Sequence, residues 1–249
     1  MVYDGNASLA IPPEGSISML FWGQAIPVKP IESTPVFISY PTPEPLPNSD
    51  DQLIQAGCQL DRDGYVVCSQ ESPLLRFGCD FMMDPDGIDY GLEPKIPLVA
   101  VCEKMTQEWE AAKAAGVYLV GCAFKREIHY IFKIKDDYIL VSRTDVLKDL
   151  FTPIDSPDEA LSYAQMVTGL KAMYSFSFDP TLMYFDETIE GTHVTQTDSV
   201  FEMNLFNFAS CSCEPFINSQ IKIQVNRAGQ ITWKDAVPVF MTTGWSCAD

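Results

Sequence analysis

Apolar residues recur at helical spacing most clearly between Thr152 and Gly169, in the stretch TPIDSPDEALSYAQMVTG. Ser156 precedes Pro157 and stands three residues before Glu159, which is the pattern of a capping box. The serine oxygen takes an orphan N–H of the first turn and the glutamate reaches back to the cap's own N–H. Ala160, Leu161, Ala164 and Val167 then form one apolar face, and Gly169 fits a C-terminal stop. Beyond residue 200 the rhythm changes to a period of two. Phe201, Met203 and Leu205 alternate with Glu202 and Asn204, and Ile221, Ile223 and Val225 alternate with Lys222 and Gln224. Asn226-Arg227-Ala228-Gly229 has turn chemistry, and Gln230 to Trp233 returns as a short strand.

The earlier half carries the same two rhythms. Leu98 to Cys102 reads as a short buried strand, Thr106 to Ala115 as a run of helix formers, and residues 117 to 143 as a meander turning at Asp136-Asp137. Thr144 is placed to cap a short helix through Phe151. GCQLDRDGYVVC reads as a hairpin around Arg62-Asp63-Gly64, in a register that sets Asp61 against Tyr65 and Cys58 directly against Cys68. Opposed strand residues lie at Cα separations that a disulfide can span, so Cys58–Cys68 is an expected bridge. The expected fold class is α+β: antiparallel meanders with covering helices, stabilised by disulfides. Three regions are expected: residues 1–50 as a proline-rich N-terminal arm or tether, 51–151 as a cysteine-rich α+β region, and 152–249 as a helix plus antiparallel sheet docked to it.

The start Ser156-Pro157-Asp158-Glu159-Ala160, the alternating strands after it, and the run IKIQVNRAGQITW with its turn glycine Gly229 resemble the PepSY domain of bacterial envelope proteins. The resemblance covers residues 153 to 235, and the segment around Cys211-Ser212-Cys213 departs from it. It implies a capped helix followed by a meander, and a role in modulating or inhibiting a peptidase or in binding at the cell envelope.

Composition narrows the function classes. With 47% hydrophobic residues, 15 Phe, 10 Tyr and 4 Trp, the 249-residue chain has ample material for a packed core. Its net charge of −18 repels phosphate backbones and anionic lipid, so a nucleic-acid partner is not expected. No apolar run approaches the ~20 residues needed to span a bilayer, and insertion in a membrane is not expected either. Ile17 to Val28 is interrupted by Ser18, Gly23, Gln24 and Pro27 and has no basic residue before it, unlike a signal segment. Nine of the 18 prolines fall in the first 50 residues, and Tyr40-Pro-Thr-Pro-Glu-Pro-Leu-Pro47 favours extended polyproline II. Either a tether or an arm wrapped on the domain would use such a stretch.

Eight cysteines at 58, 68, 79, 102, 122, 211, 213 and 247 match no zinc spacing. They read as disulfides of an oxidising, extracytoplasmic compartment, against the alternative of reduced core residues. Five precede residue 123 and three follow residue 210, so pairing all eight within the chain requires a bridge between the two parts.

Candidate chemistry is sparse. The loop Asp80…Asp84-Pro85-Asp86-Gly87-Ile88-Asp89 offers calcium-type oxygens, but Ile88 stands where a third early ligand would fall, and Asp, Pro and Gly suit a turn without metal. Cys211 and Cys213 lack the C-x-x-C spacing of a redox pair and adjoin Glu214. His129 and His193 could serve as bases, but no nucleophile is placed beside either. Asn6-Ala7-Ser8 is a glycosylation sequon by pattern alone, and Gly244-Trp245-Ser246-Cys247 resembles a nucleophile elbow only superficially. No residue is therefore assigned as catalytic, cofactor-binding or metal-ligating, and no cofactor is expected. The expected function is a non-catalytic secreted or cell-envelope binding module whose partner is a protein or envelope component. The alternatives are a PepSY-like peptidase modulator and a hydrolase with an unrecognised carboxylate or histidine site.

Overall fold

The computed structural model describes residues 17–21, 24–42, 49–85, 87–120, 125–208, 212–213, 217–242 and 247–248. A hairpin of β1 (Ile17–Phe21) and β2 (Gln24–Val28) leads into β3 (Val36–Ile38) and a short helix α1 (Ser49–Gln55). The hairpin β4 (Cys58–Leu60) and β5 (Val66–Cys68) follows, then a 3-10 turn at Pro73–Phe77 and β6 (Phe81–Met83). Next come β7 (Leu98–Met105), α2 (Trp109–Ala114), β8 (Tyr118–Val120), β9 (Arg126–Ile134), β10 (Asp137–Val141), α3 (Thr144–Phe151) and α4 (Pro157–Thr168). The remainder is β11 (Leu182–Tyr184), β12 (Thr188–Glu190), β13 (Val194–Thr197), β14 (Val200–Asn207), β15 (Ser212–Cys213), β16 (Ile217–Asn226), β17 (Ile231–Thr242) and β18 (Cys247–Ala248).

Two five-stranded sheets sandwich the central helix. The first runs β10-β9-β7-β6, with β8 also on β9; the second runs β11-β17-β16-β14-β13. Helix α4 forms as its caps require. Ser156 Oγ accepts from Glu159 N (3.2 Å), Glu159 Oε2 accepts from Ser156 N (2.8 Å), and Gly169 ends the helix in the left-handed region at φ 67°. Residues 159 to 166 are all buried, in one core that also holds Ile128, Tyr130 and Phe132 of the first sheet and Phe201, Met203, Ile221 and Ile223 of the second. A helix enclosed on all faces is stable only if its polar groups are satisfied within the protein. Here Ser162 Oγ accepts from Gly91 N (2.9 Å) and Gln165 Oε1 accepts from Ala172 N (3.0 Å). The expected one-faced covering helix is thus a shared middle layer, and one core draws on residues both before and after position 152.

The β16–β17 turn packs back on this layer. Tyr163 OH donates to Gly229 O (3.0 Å), and Ile154 N donates to Arg227 O (2.9 Å). Gly229 has φ 68°, and a Cβ there would stand 2.8 Å from Thr152 Cγ2, so both conformation and space call for glycine.

Several boundaries differ from expectation for physical reasons. β7 continues to Met105 and pairs with β9 as far as Arg126, so α2 starts only at Trp109. β8 and β10 lie end to end on the same side of β9, opposite β7, rather than flanking it as successive strands of a meander. Arg143, not Thr144, occupies the cap position of α3. The strand after Gly229 runs on to Thr242, with two register shifts against β16.

Each sheet also has an outer side. The first is covered by α1, the β4–β5 hairpin and the 3-10 turn, with Leu53, Ala56, Val66 and Leu74 packed on Ala100, Cys102 and Ile131. Hairpin β4–β5 has the expected register, Cys58 opposite Cys68, and those two form a disulfide; Cys79–Cys102 forms a second. The second sheet is covered by residues 29–42, part of the proline-rich stretch. β3 pairs in parallel with β12, Ile31 N donates to Tyr184 O (2.9 Å) and Tyr40 N to Tyr174 O (2.9 Å). Residues 43–48, the rest of the proline alternation, lie outside the described residues. Among the described residues, no helix is long and apolar enough to cross a membrane.

Candidate functional site

Most of the chemistry-bearing residues singled out in the sequence are held in structural roles. Asp80 Oδ2 accepts from Met105 N (2.7 Å) and so closes the β6–β7 pairing. Asp89 Oδ2 takes a long contact from Leu98 N (3.4 Å). Burial pushes the Asp89 carboxyl above the usual carboxylate range, with backbone N–H groups and Lys95 opposing and Asp84 adding to the rise. Asp86 lies outside the described residues, and among those described no three His, Cys, Asp or Glu side chains converge as a metal site. Asp61 Oδ1 accepts from Asp63 N and Tyr65 N (both 2.9 Å), and Gly64 takes φ 83°, which is hairpin chemistry.

The two histidines sit apart from each other. His129, on β9, is 3% exposed and lies across from Cys102 in the ladder. Its Nε2 is 3.1 Å from Glu127 Oε2, yet neither ring nitrogen has a well-aligned hydrogen-bond partner. Burial, then the charge of Lys104, push its pKa down, and Glu127 opposes them; the ring is held neutral. His193 stacks on Tyr40 at 4.2 Å, and its Nδ1 lies 3.0 Å from Gly191 O, which makes Nδ1 the protonated nitrogen. That ring helps seat the 29–42 strap. Cys211 and residues 243–246 lie outside the described residues, as does Asn6; β15 is known by its backbone, which sets Cys213 across from Cys247.

A different group of residues forms an open concavity of about 340 Å³, lined by Gln52, Lys95, Ile96, Pro97, Lys133, Ile134 and Lys135. Three elements position it: α1 supplies Gln52, the segment entering β7 supplies residues 95–97, and the end of β9 with its turn supplies residues 133–135. Lys133 N donates to Pro97 O (2.9 Å), which fixes the last two against each other. Lys133 Nζ donates to Gln55 Oε1 (2.6 Å) and lies 5.9 Å from the Tyr138 ring centroid. Lys95 Nζ donates to Tyr90 O (3.1 Å) and stands 3.3 Å from Glu93 Oε1. Three lysines therefore stand among the lining residues and no acidic residue does, Glu93 reaching Lys95 from outside the lining. The carboxylate of Asp137, just past the turn, is occupied by Arg76 at 2.7 Å.

Lys135 occupies an unusual backbone position. The β9–β10 turn has two residues, Lys135 and Asp136, and Lys135 takes φ 56°. Glycine and asparagine are the residues that favour such a position. The β13–β14 hairpin has the same two-residue spacing and places Asp198, a residue that tolerates this region better, at φ 51°.

These lysines were not singled out in the sequence. The signal was present, since 16 basic residues serve the whole chain and the run Lys133-Ile134-Lys135 holds two of them. Asp136 and Asp137 follow at once and cancel the local charge, and only the fold brings Lys95 beside the pair. Compared with family models, with curated proteins and with solved structures, the chain matches none.

Proposed function

We propose that the protein is a non-catalytic binding module that works outside the reducing cytoplasm, as a secreted or envelope protein, and that it contacts anionic groups of its partner through the lysine-lined concavity. The observation that carries the binding reading is the gathering of Lys95, Lys133 and Lys135 around one open concavity in a chain of net charge −18. Such a local reversal of sign attracts what the rest of the surface repels, and thereby gives selectivity in position. The Cys58–Cys68 and Cys79–Cys102 disulfides support the compartment.

Two measurements test the two parts of this reading. Amide spectra recorded with a panel of anions are expected to shift at residues 95–97 and 133–135; no response there to any anion removes the binding reading. For the compartment, protein matured in its native setting is expected to show no free thiol and to gain eight hydrogens on reduction. Peptide mapping is expected to return Cys213 with Cys247, which oppose each other as Cys58 and Cys68 do. That pairing leaves Cys122 with Cys211, a bridge between the two parts of the chain. Eight free thiols would place the protein in a reducing compartment.

A further inference from the structure

The geometry points to a small dianion, a phosphate monoester or a dicarboxylate, as the ligand of the concavity lined by Lys95, Lys133 and Lys135. This rests on the binding reading above and narrows it to one charge class. The arrangement of the three cations carries the step. Lys133 is already oriented by Gln55 Oε1, and Lys95 by Tyr90 O and by Glu93 Oε1 at 3.3 Å, so their ammonium groups do not have to be gathered when a ligand arrives. Lys135 adds a third charge from a turn position whose conformation disfavours lysine. The matching turn of the second sheet uses Asp198 there, which shows that this fold has a better-suited residue type for the geometry.

Charge count favours a dianion over a monoanion. Lysine is a compact point charge with three donors, and it meets a phosphoryl or carboxylate oxygen without demanding the planar, two-point geometry of arginine. Glu93 offsets one of the three positive charges, through Lys95, and the two that remain match the two negative charges of a dianion. Ile96, Pro97 and Ile134 add apolar residues to the lining for the carbon portion of the ligand, and the volume of about 340 Å³ suits a small molecule. The open mouth allows the same group to be presented free in solution or at the end of a larger envelope molecule.

Calorimetry on the oxidised full chain at low ionic strength, with inorganic phosphate, glycerol phosphate, succinate and acetate as probes, tests the inference. The two phosphates, succinate, or both classes are expected to bind about tenfold or more tighter than acetate, a difference well within calorimetric reach. Phosphates alone would assign a phosphoryl source, and succinate alone a dicarboxylate. Lys135→Asn removes one charge while suiting the turn, so it is expected to keep or raise stability and to weaken the dianion about fivefold or more, leaving acetate little changed. Lys95→Gln is expected to weaken it similarly. Equal affinity for acetate and the dianions, or dianion binding indifferent to both substitutions, overturns this inference and leaves the broader anion-binding reading standing. No binding by any probe, together with silent amides at 95–97 and 133–135, removes both.

Discussion

The two sheets meet the same requirement on their outer sides and satisfy it differently. Outside the first sheet lie short pieces: a seven-residue helix, three-residue strands and a 3-10 turn, contributing mainly the aliphatic side chains of Leu53, Ala56, Val66 and Leu74. Two disulfides pin them, one across the hairpin and one, Cys79–Cys102, from the cover into β7. Outside the second sheet lies a single extended strap, with no disulfide among the described residues. It is held by strand pairing and by rings: Phe37 stacks on Phe176 at 5.6 Å, and Phe176 meets Phe206 edge-on at 5.2 Å. Aromatic side chains bury far more area than small aliphatic ones, and a ladder satisfies the strap's backbone. Short elements with little to bury depend on restricting the unfolded chain instead. The covalent and the packed cover are two answers to one shortage of apolar area.

The largest test of that contrast is Phe206→Ala. Phe206 is 0% exposed beneath the strap, so truncation is expected to cost about 3–5 kcal/mol in urea unfolding. Amide exchange at Ile31 and Tyr40, whose N–H groups bind Tyr184 O and Tyr174 O, is expected to rise while exchange at Ser69, bonded to Gly57 O, stays slow. Next in size is Cys79→Ala with Cys102→Ala. The bridge closes a separation of 23 residues, against 10 for Cys58–Cys68, and its loss is expected to cost about 3 kcal/mol. Here the pattern reverses, with faster exchange at Ser69 and protection kept at Ile31 and Tyr40. Uniform exchange changes in both variants would mean that the two covers are not independently held.

What the sequence showed of this arrangement follows the range of the interactions involved. The capping box at Ser156 and Glu159 and the opposition of Cys58 to Cys68 were legible, because each depends on residues a few positions apart. The burial of α4 on both sides was not: Tyr163 and Met166 lie outside the apolar set of Ala160, Leu161, Ala164 and Val167, and both are buried. Their partners, Gly229 O for Tyr163 OH and Tyr130 OH for Met166 O, are 66 and 36 residues away. The same limit hid the concavity. Lys133 and Lys135 are neighbours, but Lys95 and Gln52 join them only through the entry to β7 and the packing of α1. The strap was half legible: the richness in proline of the first 50 residues indicates extended chain, and only the apolar patch Leu20-Phe21-Trp22, earlier in the same stretch, hinted that part of it packs.

The smallest effect concerns His129, on the pinned side of the first sheet. Its folded pKa lies below the ordinary value, through burial first and Lys104 second. In the window between that folded value and about 6.5, the unfolded chain binds a proton that the folded chain does not, so stability rises with pH there. The contribution is full above about pH 6.5 and is lost as pH falls through the folded pKa, with a slope of at most about 1.4 kcal/mol per pH unit for one proton. Urea midpoints of the native chain and of His129→Leu, compared at pH 7.5 and 5.5, isolate this group because the carboxylates titrate in both. The native chain is expected to lose more stability on acidification than the variant. Since His129 lies across from Cys102, the extra loss belongs to the disulfide-pinned side. It is expected to appear as faster exchange near Ser69 rather than at Ile31 or Tyr40. Equal pH dependence in the two chains would mean that the imidazole gains a proton as readily folded as unfolded, and that the covalent cover leaves it open to water.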